Sequence, residues 1–335
     1  MEVPMLDRWS EGIHHPKPTV LLSTKLPAVL YAAARKRWNV IDAPQEHVTP
    51  AWLATLTNVQ GWLITARQLV DNQHLNALSD LRAIATVAVG YDNIDVDAAA
   101  SRGVAVHHTP GVLDATVAEL GIALLLASAR GIVAADAHVR SGGWATYGPP
   151  PLGTSIHGST VGLLGLGRIG RRIAEISAIL GANVIAHTRS GATGDDISAR
   201  SRTQLFTEAD FIVVTVPLND ATRKSIGRPE FELMKSSAVL VNISRGAVVV
   251  EEDLIDALDE KLIGGAALDV MSCEPLHHDH PLCRFDNVTL TPHIGSATVA
   301  TREAMAKLAL DALDRGLASD HTVLTLVPEL RHRLQ

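Results

Sequence analysis

The sequence is poor in cysteine, in aromatic residues and in positive charge. Of 335 residues only Cys273 and Cys283 are cysteines, a count that supplies no disulfide framework and suits a reducing compartment where both stay thiols. The cytoplasm is therefore the expected location. Lys and Arg number 29 against 36 Asp and Glu, for a formal net charge of -7. No basic block interleaved with aromatics runs along the chain, so nucleic acid is not an expected partner. Long hydrophobic runs are missing too. The most apolar stretch, "VAELGIALLLASA" from Val117, is interrupted by Glu119 and falls short of the roughly 20 residues that span a bilayer. It reads as a buried helix, and no membrane association is expected. The opening "MEVPMLDRWSEGIHHPKP" contains acids and lacks the apolar core of a signal peptide, so it reads as a loose extension. No repeat of short fixed period and no low-complexity segment is present.

What is present is a regular alternation. "TVLLS", "NVIDA", "GWLIT", "AIATVAV" and "VAVHH" are β-branched runs separated by helical patterns such as "LPAVLYAAARKR" and "NIDVDAAASRG". A second series, "TVGLLGLG", "NVIAHT", "FIVVTV", "AVLVNIS", "GGAALDV" and "NVTLTP", follows a long helical stretch and contains "EEDLIDALDEK" as its clearest helix. Such alternation predicts βα units, and so two parallel sheets in an α/β protein of two lobes. Pro110 and Gly111 break the pattern before a helix over 114–129, and "GGWATYGPPPLG" breaks it again. The final amphipathic stretch "REAMAKLALDALDRGL" is expected to pack back on the first lobe. The expected division is 1–110 with 298–335 for one lobe and 111–297 for the other.

"TVGLLGLGRIGRRIAEI" places Gly165, Gly167 and Gly170 in G-x-G-x-x-G spacing between a strand and a helix. The first glycine permits a tight turn, the second lets backbone approach a pyrophosphate, and the third lets helix and strand pack closely. A chance glycine cluster is the bland alternative, and strand, helix and second strand in register weigh against it. The second strand ends near His187, where an Asp or Glu would ordinarily hold the ribose hydroxyls of NAD; Thr188, Arg189 and Ser190 stand there instead. A guanidinium fork and two hydroxyls suit a 2′-phosphate, so the expected cofactor is NADP(H), with NAD(H) as the second choice. The alternative for Arg189 is a solvated loop arginine.

Three strand-end segments of the second series carry polar groups: "NISRGAVV" with Arg245, "LDVMSCEPL" with Asp269 and Glu274, and "TPHIGSAT" with His293. Ligands of doubly wound sheets bind beyond the carboxyl ends of the strands, so these segments can converge on one crevice. An Arg, a Glu and a His meeting there suggest a carbonyl acid as substrate. With "VAVGYDNIDVDAAASRGVAVHHTPGVLDATVAEL", "GLGRIG" and "HPLCRFDNVTLTPHIGSAT", these segments resemble the D-isomer-specific 2-hydroxyacid dehydrogenase family over nearly the full length. Within it they are most similar to the glyoxylate/hydroxypyruvate reductases. The resemblance implies a flavodoxin-like substrate domain and a Rossmann cofactor domain, both doubly wound, with the active site in the cleft between them. It implies that Arg245 contacts the keto acid, that His293 is the acid/base paired with Glu274, and that Asp269 holds the nicotinamide carboxamide. It extends the cofactor contacts to Leu166, Arg168, Ile169, Val216, Pro217, Ile243 and Gly295, and assigns the substrate carboxylate to the amides near Val89 and Gly90. It implies that the indole of Trp144 reaches the partner's active site in a homodimer whose interface is formed largely by the helix from Asp114 to Ala129.

Elementary chemistry agrees with these roles. Hydride arriving at a keto carbon leaves charge on oxygen, which needs a proton from a donor that titrates near working pH. A carboxylate beside His293 would favour the imidazolium and fix its tautomer, while Arg245 stays charged and can polarise the carbonyl. Alternatives stay open at several positions: Asp269 can simply pair with neighbouring amides, and Trp144 can be core filler or an interface anchor. The "HHDH" run, His277 to His280, lies in a Pro-flanked loop without a second ligand group at metal-site spacing, so no metal is expected. The substrate is expected to be a short 2-keto acid, reduced to the D-2-hydroxy acid, with a larger acid such as 2-ketogluconate as the rival. A dinucleotide-sensing corepressor, a binding protein resembling the same family, is the alternative of a different class.

Overall fold

In the computed structural model, residues 17–44, 47–191, 193–194, 197–319 and 325–331 are described. Most of the opening extension, through Pro16, lies outside them. Each apolar run forms a strand, and the central ones, such as Ala83–Thr86 and Val239–Asn242, are buried on both faces, as a parallel sheet covered by helices requires, whereas Asn39–Asp42 and Val288–Leu290 hold no fully buried residue. In the first lobe these are β1 (Thr19–Leu22), β2 (Asn39–Asp42), β3 (Val59–Ile64), β4 (Ala83–Thr86) and β5 (Ala105–His107). They pair in the order β2-β1-β3-β4-β5, parallel throughout. Helices α1 (Ala28–Arg37), α2 (Pro50–Leu53), α3 (Asn72–Ala77) and α4 (Val96–Ser101) connect them. Asp71 and Asp95 start α3 and α4 by accepting bonds from backbone N–H groups of the first turn.

Helices α5 (Asp114–Arg130), α6 (Ile132–Arg140) and α7 (Gly143–Tyr147) lead into the second lobe. Gly131 stops α5 in the left-handed conformation, at φ 59°. The second sheet contains β6 (Thr160–Leu164), β7 (Asn183–His187), β8 (Ser198–Ala199), β9 (Phe211–Val214), β10 (Val239–Asn242), β11 (Gly265–Leu268) and β12 (Val288–Leu290). Their order is β12-β11-β10-β9-β6-β7-β8, again all parallel. The edge strand β8 is only two residues long and both are exposed, so no hydrophobic run announces it. Helices α8 (Arg168–Ile179), α9 (Arg202–Glu208), α10 (Arg228–Leu233) and α11 (Glu251–Asp259) flank this sheet. α12 (Val299–Leu317) then sends Ala309, Leu310, Leu313 and Leu317 into the core of the first lobe. The polar side of α12 is tied there as well: Arg37 bonds Asp311 and Asp314 at 3.1 and 2.7 Å, and Trp38 Nε1 donates to Asp314 at 2.7 Å. The chain divides at Thr109/Pro110 and again at Arg302/Glu303. The second division falls inside α12, five residues after the expected 297/298.

Register fixes what the second sheet presents at one end. Leu164 lies opposite both His187 and Val214. Val214 lies opposite Asn242, Asn242 opposite Leu268, and Leu268 opposite Leu290. The next residue of each strand, Gly165, Thr188, Thr215, Ile243, Asp269 and Thr291, therefore leaves the sheet along a single edge. The order of strands reverses at β6 and β9, so the glycine-rich turn stands at the switch point, where connections diverge and open a crevice.

Candidate active site

The glycine-rich turn is built as its spacing requires. Gly165 has φ 98°, a left-handed conformation, and a Cβ there would stand 3.0 Å from Val216 Cγ1. At Gly170 a Cβ would come within 2.7 Å of the Gly165 carbonyl oxygen, so α8 can approach the turn only without a side chain. A Cβ on Gly167, in contrast, would meet nothing within 4 Å; the backbone at the start of α8 faces open space. Leu166 and Ile243 are buried and Ile169 half-buried, while Val216 and Pro217 follow β9 beside the turn. The turn, the open backbone and the helix N-terminus fit a pyrophosphate and hence a dinucleotide.

At the end of β10, Asn242 fixes the segment that carries Arg245. Its Oδ1 accepts from Ser244 N at 3.0 Å and from Ser244 Oγ at 2.9 Å, and its Nδ2 donates to the Arg245 carbonyl at 3.0 Å. Gly246 follows because the Met271 backbone lies against it: a Cβ would fall 2.0 Å from the Met271 carbonyl. That close approach brings the Arg245 loop beside the loop that bears Glu274. Arg245 is itself half-buried, and its Nη1 donates to the Ser244 carbonyl at 2.9 Å.

Asp269 and His293 form one unit. Asp269 is 1% exposed, and its Oδ1 accepts from Thr291 Oγ1 at 2.7 Å and Ile294 N at 2.8 Å, while Oδ2 accepts from Gly295 N at 2.9 Å. The His293 N–H donates to the Asp269 carbonyl at 2.9 Å. This clamp holds His293 at φ 55°, a left-handed conformation that costs about 1–3 kcal/mol in a residue with a side chain. Asp269 organises the histidine loop through these neighbouring groups. Asn242, Gly246 and Thr291 were not legible as site residues; the signal for Asn242 is an Asx-type turn at a strand end.

His293 Nδ1 meets Glu274 Oε2 at 2.7 Å, with the two side chains 37% and 26% exposed. Burial alone would push the Glu274 carboxyl up. The hydrogen bond and charge of His293, the Met271 N–H at 3.2 Å and the charge of Arg245 outweigh it, and the group lies below the ordinary carboxylate value. Nε2 of His293 has no hydrogen-bond partner among the described residues. With Nδ1 held by a carboxylate, Nε2 is the position left to exchange a proton with a ligand. Arg245, Glu274 and His293 are thus brought together in the second lobe by loops from three different strands.

Thr188 is half-buried, while Arg189 and Ser190 are exposed, in the turn directly after β7. Val89 and Gly90 follow β4 in the first lobe, where the Val89 carbonyl meets His108 Nδ1 at 2.8 Å. Trp144 on α7 is 61% exposed, so it is not core filler. α6 buries no residue, and α5, expected at an interface, turns Val117, Ala118, Ile122, Leu124 and Leu125 inward. In the histidine run the Asp279 carboxylate lies with His277 and His278 so that one polar atom of each is within 4.8 Å of the others. All three are exposed. Among the described residues no single helix is long and apolar enough to cross a membrane.

A nicotinamide-dependent oxidoreductase is the class that this fold and turn define, and comparison with known proteins agrees. The family model described as D-isomer specific 2-hydroxyacid dehydrogenase, NAD binding domain, matches residues 122–295. The chain belongs to the D-isomer specific 2-hydroxyacid dehydrogenase family and is an oxidoreductase. It is 39% identical over 309 residues to glyoxylate/hydroxypyruvate reductase B of Yersinia pestis bv. Antiqua (strain Nepal516), covering 90% of this chain and 94% of that one. The NADPH-dependent glyoxylate/hydroxypyruvate reductase of Sinorhizobium meliloti, solved with NADP and malonate, superposes with a TM-score of 0.87 at 33% identity, covering 94% of this chain and 98% of that one. A glyoxylate reductase from Paecilomyes thermophila gives a TM-score of 0.86 at 29% identity, covering 94% and 99%.

Proposed function

We propose that the protein reduces a short 2-keto acid, glyoxylate or hydroxypyruvate, to the D-2-hydroxy acid with NADPH, in the cytoplasm and as a homodimer. The observation that carries the reading is the 2.7 Å pair of His293 and Glu274, with Nε2 open and Arg245 alongside. Bound at the glycine-rich turn, the dinucleotide supplies the hydride. His293 Nε2 then gives its proton to the carbonyl oxygen as charge develops there, and Glu274 stabilises the imidazolium and fixes its orientation. Arg245 grips the substrate carboxylate and polarises the carbonyl, with the Val89 and Gly90 amides as further donors. Arg189, with Thr188 and Ser190, selects the 2′-phosphate. Trp144, Tyr147 and Leu152, exposed by 61%, 83% and 100%, suit burial by a second copy, where Trp144 would limit substrate size.

The test is the oxidation of NADPH and NADH over a panel of glyoxylate, hydroxypyruvate, pyruvate, 2-ketogluconate and phenylpyruvate. The highest kcat/KM is expected for NADPH with glyoxylate or hydroxypyruvate. A preference for 2-ketogluconate would move the assignment to the larger acids. Tight dinucleotide binding without turnover of any acid would favour a sensor instead.

A further inference from the structure

Helix α8 begins against its own dipole. Its first residue is Arg168, Arg171 and Arg172 follow within the first turns, and no acid stands in the first turn. A helix N-terminus carries partial positive charge, so a cation there is unfavourable unless something negative offsets it. One offset is visible. Arg168 Nε donates to Asp114 Oδ2 at 2.8 Å, from a side chain 61% exposed to one only 8% exposed. Asp114 is the first residue of α5, 54 positions away in sequence. It makes no capping bond there: α5 has no side-chain cap. Its other oxygen, Oδ1, is buried with no hydrogen-bond partner among the described residues.

A carboxylate buried this far, with one oxygen unpaired, is costly and calls for a return beyond local structure. The dipole of α5 favours a carboxylate in its first turn, but none of its first N–H groups bonds Asp114, and that end leaves Oδ1 unpaired. We propose that Asp114 is a positioning residue for the cofactor pyrophosphate, acting through Arg168. By taking Nε alone it fixes the plane of the guanidinium and leaves both terminal nitrogens, which have no other partner among the described residues, directed as a fork. The fork stands one residue beyond Gly167, whose backbone faces open space. This inference rests on the dinucleotide reading of that turn, and it separates two kinds of cation: Arg168 serves the pyrophosphate that NADPH and NADH share, whereas Arg189 serves the 2′-phosphate that only NADPH carries.

Fluorescence titration of NADPH and NADH, without substrate, tests it. Asp114→Asn should weaken both dinucleotides by the same factor, about tenfold, the equivalent of part of a charge-assisted bond. Adenosine 2′-monophosphate, which lacks the pyrophosphate, should bind wild type and variant alike. Arg168→Gln should weaken both dinucleotides as well, and adding Asp114→Asn to it should cost nothing more, because the aspartate acts only through the arginine. Arg168→Lys, an exposed change that keeps the charge but loses the fork, should lose nearly as much as Arg168→Gln and keeps the test open if Asp114→Asn does not fold. Unchanged affinities in Asp114→Asn, a loss confined to NADPH, or an undiminished effect in the Arg168→Gln background would each overturn the proposal. Should wild type bind neither dinucleotide, the reading of the turn itself would fall, a result distinguishable from all of these.

Discussion

His74 in the first lobe and His293 in the second each hold a carboxylate oxygen on Nδ1 at 2.7 Å. Distance does not distinguish them; surroundings do. His74 pairs with Asp71, three residues earlier, and its Nε2 is taken by the Val48 carbonyl at 3.2 Å. Its side chain is 8% exposed and stacks near Trp62, with ring centroids 6.4 Å apart. Both nitrogens are spent on structure. His293 pairs with Glu274 from another loop, is 37% exposed, and keeps Nε2 without a partner among the described residues. A histidine becomes a candidate acid/base when one nitrogen is fixed and the other is left open. The lobes repeat this contrast. After β1 the chain continues through Ser23, whose hydroxyl accepts from the buried Trp62 Nε1 at 2.8 Å, whereas after β6 it enters the glycine-rich turn. Both are doubly wound parallel sheets, so the fold alone does not decide where a nucleotide sits.

Removing each imidazole should separate the two roles most sharply. His293→Ala is expected to lower the rate of keto-acid reduction about 10²-fold or more while NADPH still binds and the melting temperature changes little. His74→Ala should leave kcat close to wild type and lose about 1–3 kcal/mol of stability, the cost of unmade buried hydrogen bonds. Steady-state kinetics beside thermal melts of both variants would expose any exchange of these outcomes, and near-normal turnover in His293→Ala would falsify its assignment.

A smaller effect is expected at the cofactor. Arg189→Ala should reduce kcat/KM for NADPH roughly ten- to a hundred-fold and leave NADH almost unaffected, because only one of them carries the 2′-phosphate. Equal losses with both would place Arg189 elsewhere.

Acid should resolve the two carboxylates last and least. Asp71 is held below its ordinary value of 3.8 chiefly by the hydrogen bond from His74. Glu274, pushed up by burial, is still held below its ordinary value of 4.5 by His293, the Met271 N–H and Arg245. A lowered folded value means that the native protein releases the proton more readily than the unfolded chain does. The stability so gained is complete above the ordinary value and lost as pH falls through the lower, folded one. The advantage of wild type over Glu274→Gln in thermal melts should therefore begin to shrink below 4.5, and that over Asp71→Asn only below 3.8. An advantage that grew on acidification would contradict the sign.

Much of the site could be read locally, because the chemistry is written in short motifs. Glycine spacing after an apolar run specifies a turn whose three positions exclude side chains for separate steric reasons, and Gly165 and Gly170 meet those reasons in the structure. Asp114 was legible only as a residue beginning a helix. Its partner lies 54 positions away, and no periodicity reports a contact of that kind. Asp269 could be read as a cofactor ligand or as a partner of nearby amides, and its partners Thr291, Ile294 and Gly295, 22 to 26 positions away, were not marked by any local pattern. The edge strand β8 escaped because two exposed residues carry no hydrophobic pattern.

The sequence by itself determined the two parallel sheets, the dinucleotide turn and the residue types able to move a proton, because hydrophobic period and glycine sterics act over a few neighbouring positions. Tertiary structure alone decided which charges meet. Register places Asn242, Leu268 and Leu290 side by side, so that the loops after β10, β11 and β12 leave at one edge and bring Arg245, Glu274 and His293 together. It also decided which imidazole nitrogen stays open, since that depends on every group packed around the ring.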